Sequence, residues 1–262
     1  MLTAPRSRTK APLCHISPMH RGSVRAVKVT ALELPARWNA PAAAFAQVDA
    51  LLTSGGPTDL VLLPEAAITG YLSANGDCDL SPFAETLNES PTCGALAALA
   101  IKHRTHLIGP LVERAPDGQC FNSMVGFDPR GARVLHYRKR HPWFPERWAT
   151  AGAEPLPVLE IDGHSFTIAI CFDLHFVAEE SAAALHQADT LLFASAWVDE
   201  TSNERWPLLE GLARDFQLNI VNANWGIGRP RLLGQGKSVV LDAGGLHLAE
   251  GGPRLDAVIE TP

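Results

Sequence analysis

The 262-residue sequence has no surplus of positive charge and no long apolar run. Its 22 Lys and Arg residues are outnumbered by 28 Asp and Glu, which gives a net charge of −6, and only "RKRH" at 138–141 forms a basic cluster. These features argue against nucleic acid as a partner, and without about 18 consecutive apolar residues a membrane-spanning helix is not expected. Hydrophobic residues make up 46% of the chain, enough for a substantial core.

Cysteine is scarce, odd in number and widely spaced. The five residues are Cys14, Cys78, Cys93, Cys120 and Cys171, and no two of them form a CxxC pair. This spacing argues against a disulfide framework and against a zinc site. We therefore expect a protein of the reducing cytoplasm that uses no metal.

The amino-terminal segment differs from the rest of the chain. Residues 1–23 contain basic residues and prolines but no apolar core of 7–15 residues. They are predicted to be a disordered leader rather than a signal peptide. Residues 24–262 show no linker and no repeat of fixed period, so we expect them to form a single domain.

Short apolar runs alternate with longer amphipathic segments over this domain, which predicts a layered α/β fold. Predicted helices cover 41–55, 93–105, 178–188 and 204–216. Predicted strands cover 24–34, 59–65, 106–113, 165–172, 189–197, 217–224 and 236–242, and 120–139 is predicted to be a hairpin that turns at 128–131. One central sheet between helices, or two sheets sandwiched between helices, would both fit this order.

Three predicted strand ends carry chemically capable side chains, namely Glu65, Lys139 and Cys171. Reactive groups of open α/β folds gather at the carboxyl ends of strands. Each residue also has a structural interpretation: a capping carboxylate, a solvated basic cluster and a small buried thiol. Each residue alone is weak evidence for a catalytic site, but the three together are stronger evidence.

Three motifs carry these residues: "LVLLPEAAITGY" (60–71), "GARVLHYRKRHPWFPERW" (131–148) and "IAICFDLHF" (168–176). In kind and order they resemble the nitrilase superfamily of carbon–nitrogen hydrolases, over residue 24 to the end of the chain. The resemblance implies an α/β fold of the four-layer α-β-β-α sandwich type. It also implies that no cofactor is needed.

The resemblance assigns a role to each residue of the set. Cys171 would be the nucleophile, and Glu65 the general base that removes the thiol proton, because the thiolate is the reactive form of cysteine. Lys139 and the backbone N–H of Phe172 would stabilise the oxyanion of the tetrahedral intermediate.

Two further residues near these motifs have competing interpretations. Glu146, seven residues after Lys139, resembles a second glutamate of the aliphatic-amidase branch that positions the lysine or the substrate; the alternative is a surface charge pair with Arg147. A papain-like arrangement would instead make His175 or His141 the base, but a histidine four positions after the nucleophile does not fit that pattern.

The predicted substrate contacts are Tyr71, Trp143, His175 and Trp197, although core packing would explain each aromatic ring equally well. The expected reaction is hydrolysis of a linear amide or N-carbamoyl bond that releases ammonia or an amine. A nitrile substrate, or a non-catalytic member that only binds, remains an alternative. Partners are expected to be a small amide, carbamoyl or nitrile molecule and further copies of the chain, in a homodimer or homotetramer.

Overall fold

The computed structural model describes residues 26–198 and 205–262, and within them two six-stranded sheets lie face to face. The predicted leader at 1–23 lies outside the described residues, as do the first residues of the first predicted strand and residue 204 of the last predicted helix. Of the two arrangements that fitted the sequence, the structure has two stacked sheets rather than one central sheet.

The strands are β1 (Val27–Leu32), β2 (Leu60–Leu62), β3 (His106–Arg114), β4 (Cys120–Phe127), β5 (Arg133–Arg138), β6 (Val158–Ile161), β7 (His164–Ile170), β8 (Thr190–Ser195), β9 (Asn219–Asn224), β10 (Val239–Leu241), β11 (His247–Glu250) and β12 (Arg254–Ile259). The first sheet has the order β12-β1-β2-β3-β4-β5, and the second β11-β10-β9-β8-β7-β6. In each sheet three neighbouring strands are parallel, β1-β2-β3 and β7-β8-β9, and the outer strands are antiparallel.

The α-helices are α1 (Pro41–Ser54), α2 (Pro91–His103), α3 (Val177–Glu180), α4 (Ala182–Gln187) and α5 (Arg205–Phe216). Both long amino-terminal helices begin with proline, whose missing N–H costs nothing in the first turn. The Ser90 hydroxyl caps α2 by accepting a hydrogen bond from the Cys93 N–H at 2.9 Å. None of the helices described is long and apolar enough to cross a bilayer.

The layers follow from the side-chain alternation of the strands. On β1, Val27, Val29 and Ala31 face the second sheet and form the central core, which Ile168 and Ile170 of β7 enter from the opposite side. Leu32 faces outward, where it packs in the cluster that α1 and α2 cover. Because α4 and α5 cover the second sheet, the molecule is the predicted α-β-β-α sandwich.

Several predicted elements have different bounds in the structure. The strand predicted over 165–172 ends at Ile170, and the helix predicted over 178–188 is two short helices interrupted at Ser181, whose φ of −131° is not helical. Three strands, β6, β11 and β12, were not predicted. The turn between β6 and β7 is Asp162-Gly163, with φ of 51° and 82°, a two-residue hairpin signal that the sequence does contain.

Candidate active site

The two sheets supply residues to one site at the same end of the sandwich. Glu65 follows β2 and Lys139 follows β5 in the first sheet, while Cys171 follows β7 and Ala196 follows β8 in the second. The carboxyl ends of parallel strands meet at one edge of a sheet. The site is therefore built where the ends of the two sheets face each other.

Lys139 is the centre of the charged cluster. Its ammonium group donates to Glu65 Oε1 at 2.7 Å and to Glu146 Oε1 at 2.8 Å, and neither Lys139 nor Glu65 has any exposed side-chain surface. Burial alone would lower the pKa of Lys139, but the charges of Glu146 and Glu65 together raise it. The lysine is therefore a permanent cation, which its two carboxylates hold in place.

Glu65 is fixed by three donors. Besides the lysine, the Asn122 side-chain amide donates to Oε1 at 2.8 Å, and the Ala196 N–H donates to Oε2 at 2.8 Å. The last bond links the first sheet directly to the second. A carboxylate held by three donors has little rotational freedom, so its free lone pairs have a defined direction.

Glu146 lies behind the lysine and completes the cluster. Its Oε1 accepts from the Tyr71 hydroxyl at 2.8 Å and from Asn122 at 3.4 Å, and its Oε2 accepts from the Trp143 N–H at 3.2 Å. Burial and the charge of Glu65 outweigh the effect of Lys139 and raise the pKa of Glu146 to about 7. The surface-pair alternative for Glu146 is therefore wrong, since its side chain is 1% exposed.

Cys171 occupies a sharp turn. It begins a short 3₁₀ segment, Cys171–His175, and its φ is +45°, a left-handed conformation that costs a non-glycine residue about 1–3 kcal/mol. Burial and the charge of Glu65 raise the pKa of the thiol well above its usual value, although the charge of Lys139 acts in the opposite direction. The resting residue is a neutral thiol, so a reaction at this sulfur needs a base.

Asp173 fixes the turn that carries Cys171. Its Oδ2 accepts from the backbone N–H of Ile170 at 3.1 Å and from the Tyr137 hydroxyl at 2.8 Å. Tyr137 belongs to β5, only two residues before Lys139. One carboxylate therefore connects the turn of the second sheet to the strand that presents the lysine.

A pocket opens in front of the thiol. It encloses about 480 Å³, part of it open to solvent, and its described walls are Trp143, Cys171, Phe172, His175, Ala196, Trp197 and Val198. The His175 ring lies 5.0 Å from that of Phe172 and 5.5 Å from that of Trp197. Burial lowers the pKa of His175, so its imidazole is neutral near pH 7.

Of the residues predicted to contact substrate, three line this pocket and one does not. Trp143, His175 and Trp197 form its walls, whereas Tyr71 lies behind it, hydrogen-bonded to Glu146 and 6.4 Å from the Trp143 ring. Glu65, Lys139 and Cys171 come together as expected, and Phe172 is the second residue of the turn. Among the described residues, no group of three or more His, Cys, Asp and Glu side chains is arranged to hold a metal ion.

Two groups of the site were not predicted from the sequence. Asn122 contacts both glutamates from the middle of β4, and the Ala196 N–H bonds to Glu65 across the sheets. Asn122 stands in an otherwise ordinary buried strand, and a polar residue within such a strand is the signal that would have found it. A backbone N–H leaves no signal in a sequence.

Two mixed sheets with flanking helices around this site form the sandwich of the nitrilase superfamily. The chain belongs to the carbon-nitrogen hydrolase family, whose model matches residues 28–260. The solved structure of a CN-hydrolase superfamily protein from Xanthomonas campestris superposes with a TM-score of 0.78 at 23% identity, over 90% of this chain and 91% of that one.

Relatives of known sequence are matched by only part of their length. A protein of Pseudomonas protegens described as "hydrolase in pqqF 5′region" is 28% identical over 178 residues, which are 66% of this chain and 60% of that protein. An (R)-stereoselective amidase of a Pseudomonas species is 26% identical over 206 residues, covering 78% of this chain and 73% of the amidase. The first of these matches thus spans less than two thirds of the relative.

Proposed function

We propose that the protein hydrolyses a linear amide bond through a cysteine thioester and releases ammonia or an amine. The observation that carries the proposal is that Cys171 lines the pocket, while Glu65 and Lys139 lie buried behind it, close enough for their charges to act on its thiol. The amidase among the relatives is consistent with it. Family membership supplies the broader statement, a hydrolase of carbon–nitrogen bonds.

Formation of the thioester begins at the neutral thiol. Glu65 removes the proton from Cys171 Sγ as the sulfur attacks the carbonyl carbon, and a C–S bond forms. The tetrahedral intermediate collapses when Glu65 passes that proton to the leaving nitrogen. The C–N bond then breaks, and ammonia or amine departs from an acylated cysteine.

The negative charge of the intermediate falls on the carbonyl oxygen. Lys139 has three N–H donors, and two of them are used by Glu65 and Glu146, so the third is available to this oxygen. The Phe172 N–H, at the start of the 3₁₀ segment, has no acceptor within that turn and supplies a second donor. Losing one such donor typically costs about 3–4 kcal/mol.

The thioester is then hydrolysed by the same residues. Glu65 takes a proton from a water molecule as its oxygen attacks the thioester carbon. The C–S bond breaks, the acid leaves, and Glu65 returns the proton to Cys171 Sγ. The base ends each cycle in the state in which it began.

The pocket walls favour an uncharged acyl group. Apart from the reactive cysteine, the described walls consist of aromatic rings, a neutral imidazole, one alanine and one valine. A carboxylate on the acyl side would lose its hydration there without a cation in those walls to replace it. We therefore propose neutral aliphatic or aromatic amides as the first substrates to test.

A panel of neutral amides, anionic amides, N-carbamoyl amino acids and nitriles, assayed for ammonia release, tests the proposal. We expect neutral amides to be turned over with the highest kcat/KM, and mass spectrometry to show an acyl adduct on Cys171. Activity on nitriles alone would replace the amidase by a nitrilase. The absence of turnover on every class, together with no preferential labelling of Cys171 by iodoacetamide, would favour a non-catalytic binding subunit.

A further inference from the structure

His141 lies beside the active site with a carboxylate at each ring nitrogen. Its Nδ1 is 3.1 Å from Asp173 Oδ1, and its Nε2 is 3.2 Å from Glu180 Oε2. A neutral imidazole has one N–H and one lone pair, and the lone pair would repel a carboxylate oxygen. Satisfying both contacts requires the doubly protonated ring, a cation.

The contacts of His141 join two segments that carry catalytic groups. Its own backbone N–H also donates to Asp173 Oδ1, at 2.9 Å, and its ring stacks on that of Phe176 at 4.1 Å and 18°. His141 is two residues after Lys139, and Asp173 is two residues after Cys171. The same Asp173 bonds to Ile170 and Tyr137 through its other oxygen.

We propose that His141 is a positioning residue: as a cation between Asp173 and Glu180, it holds the strand end that presents Lys139 against the turn that presents Cys171. The inference rests on the proposed function for its catalytic readout. It differs from a papain-like role, because the ring bonds to Asp173 and Glu180 rather than to the thiol. Its effect reaches the reacting atoms only through Lys139 and Cys171.

The charges around His141 support the cationic form. Asp173 from the turn and Glu180 from α3 face its ring, Arg140 binds the same Glu180 oxygen at 3.0 Å, and Tyr137 faces Asp173. The hydrogen bond to Asp173 is the largest influence, and with Glu180 it outweighs partial burial and raises the pKa of His141. Above that pKa one of the two carboxylate contacts is lost, and kcat should fall as pH rises through it.

The chain contains a matched control. His247 on β11 also has a carboxylate at each ring nitrogen, Glu250 at 2.8 Å and Glu210 at 2.9 Å, and the same contacts raise its pKa. Its side chain is 25% exposed, against 23% for His141. Among the residues that the structure describes, it shares no contact with the site above, so His247→Gln tests the loss of such a pair without the proposed coupling.

The experiment compares His141→Gln, His247→Gln and Glu180→Gln as full chains in kcat, KM and the pH profile of kcat. We expect His141→Gln to lower kcat about 10- to 100-fold at pH 7 with a smaller change in KM, since displacements of about 1 Å have such effects. In His141→Gln, the fall of kcat at alkaline pH should disappear, because glutamine does not titrate. Glu180→Gln should move that decline to lower pH, because removal of an anion lowers the pKa of His141, and His247→Gln should leave kcat and profile unchanged.

An unchanged kcat in His141→Gln would overturn the proposal, as would a lowered kcat with the wild-type pH profile intact. If the wild-type protein hydrolyses no amide, the proposed function fails, and the rate of Cys171 alkylation by iodoacetamide at pH 7 then tests the coupling. Slower alkylation in His141→Gln than in both the wild-type protein and His247→Gln supports it. Equal rates in all three reject it.

Discussion

At the scale of single residues, the site depends on one cation buried between two carboxylates. Lys139 donates to Glu65 and Glu146, and all three side chains are withdrawn from water. Burying a charged cluster of this kind costs free energy of folding. In return, the Lys139 cation applies an electrostatic field at a fixed position in the site. In the proposed reaction, that field acts where negative charge develops on the substrate oxygen.

Replacing Lys139 with methionine should destabilise the protein by about 3–5 kcal/mol at pH 8, because a buried carboxylate pair is left without its cation. The pKa of Glu146, already about 7, loses the influence that lowers it and rises further. A carboxyl whose folded-state pKa exceeds 4.5 stabilises the fold at low pH, so the loss should be smaller at pH 5. Urea denaturation at both pH values measures this.

The control for this substitution is Lys102→Met. Lys102 pairs with Asp49 at 2.7 Å, but its side chain is 57% exposed. An exposed pair contributes about 0–1 kcal/mol. Equal losses from the two methionine variants, or a loss at Lys139 that does not depend on pH, would contradict the account of the buried cluster.

Asn122 is predicted to position Glu65. Asn122→Leu removes the 2.8 Å donor to that carboxylate, and hydrogen bonds to charged groups contribute about 1.5–3 kcal/mol. We expect kcat for a neutral amide to fall about 10- to 100-fold. Asn219→Leu removes a buried strand asparagine that bonds instead to the backbone of Asp189 and Glu260, and it should leave kcat of the folded protein unchanged.

At the scale of elements, β3, β4 and β5 are joined by one carboxylate on the first sheet. Glu113 of β3 accepts from Ser123 of β4 at 2.7 Å, from His136 of β5 at 2.8 Å, and from the Arg138 guanidinium. Although burial acts to raise it, these donors lower the pKa of Glu113 from 4.5 to about 2. The strand pair that carries Asn122 and leads to Lys139 is thereby braced.

Glu113→Gln should lower the free energy of unfolding by about 3 kcal/mol at pH 7, since each pKa unit corresponds to about 1.4 kcal/mol. The ionised group stabilises the fold above about pH 4.5, and that contribution is lost as pH falls towards 2. The difference in unfolding free energy between the wild-type protein and Glu113→Gln, measured by urea denaturation, should therefore become smaller as pH falls from 4.5 towards 2. A constant difference from pH 7 to pH 3 would contradict this. Asp49→Asn is the control: its half-buried carboxylate pairs with Lys102 and His103, and its loss should cost less at pH 7 than the loss of Glu113.

Elements with strong local signals were predictable from the sequence. The proline at the start of α1, the continuous apolar run at β2 and the Asp128–Gly131 turn predicted their elements within a few residues. The split between α3 and α4 was not predictable from the helical pattern, because no local residue forbids a helix at Ser181. There the Ser181 hydroxyl accepts from Arg140 at 3.2 Å, a contact that only the tertiary structure creates.

In the candidate site, too, residues with a local sequence signal were predictable, and residues placed by the tertiary structure were not. Glu65, Lys139 and Cys171 were predictable because each lies at the end of a predicted strand and the three motifs agree with one family. Asn122 and the Ala196 N–H were not, since their roles depend on how the two sheets are stacked. Tyr71 was expected to contact substrate, but its hydroxyl bonds to Glu146, a partner 75 residues away that no local pattern indicates.

At the scale of the whole molecule, the two sheets act as two halves of one site. The first supplies Glu65, the proposed base, and the Lys139 cation, and the second supplies Cys171, the proposed nucleophile, and the N–H of Ala196. Assembly into a homodimer or homotetramer and a cytoplasmic location stay predictions.

The predicted self-association is expected to use the outer face of α5, where Leu208 is 40% exposed. Sedimentation equilibrium should give at least twice the 28.2 kDa chain mass if the predicted homodimer or homotetramer forms. A Leu208→Lys variant should shift the distribution towards monomer. A wild-type protein that is monomeric at micromolar to millimolar concentration would contradict this.

The central claim, that Glu65 is the base for Cys171, is tested most directly by the rate of acyl-enzyme formation in Glu65→Gln and His175→Ala, followed by rapid quench and mass spectrometry. Loss of general acid–base catalysis typically costs 10²- to 10⁴-fold, so we predict a decrease of about that size in Glu65→Gln. His175→Ala should alter KM more than the acylation rate. The opposite result, with acylation abolished in His175→Ala and preserved in Glu65→Gln, would contradict the account.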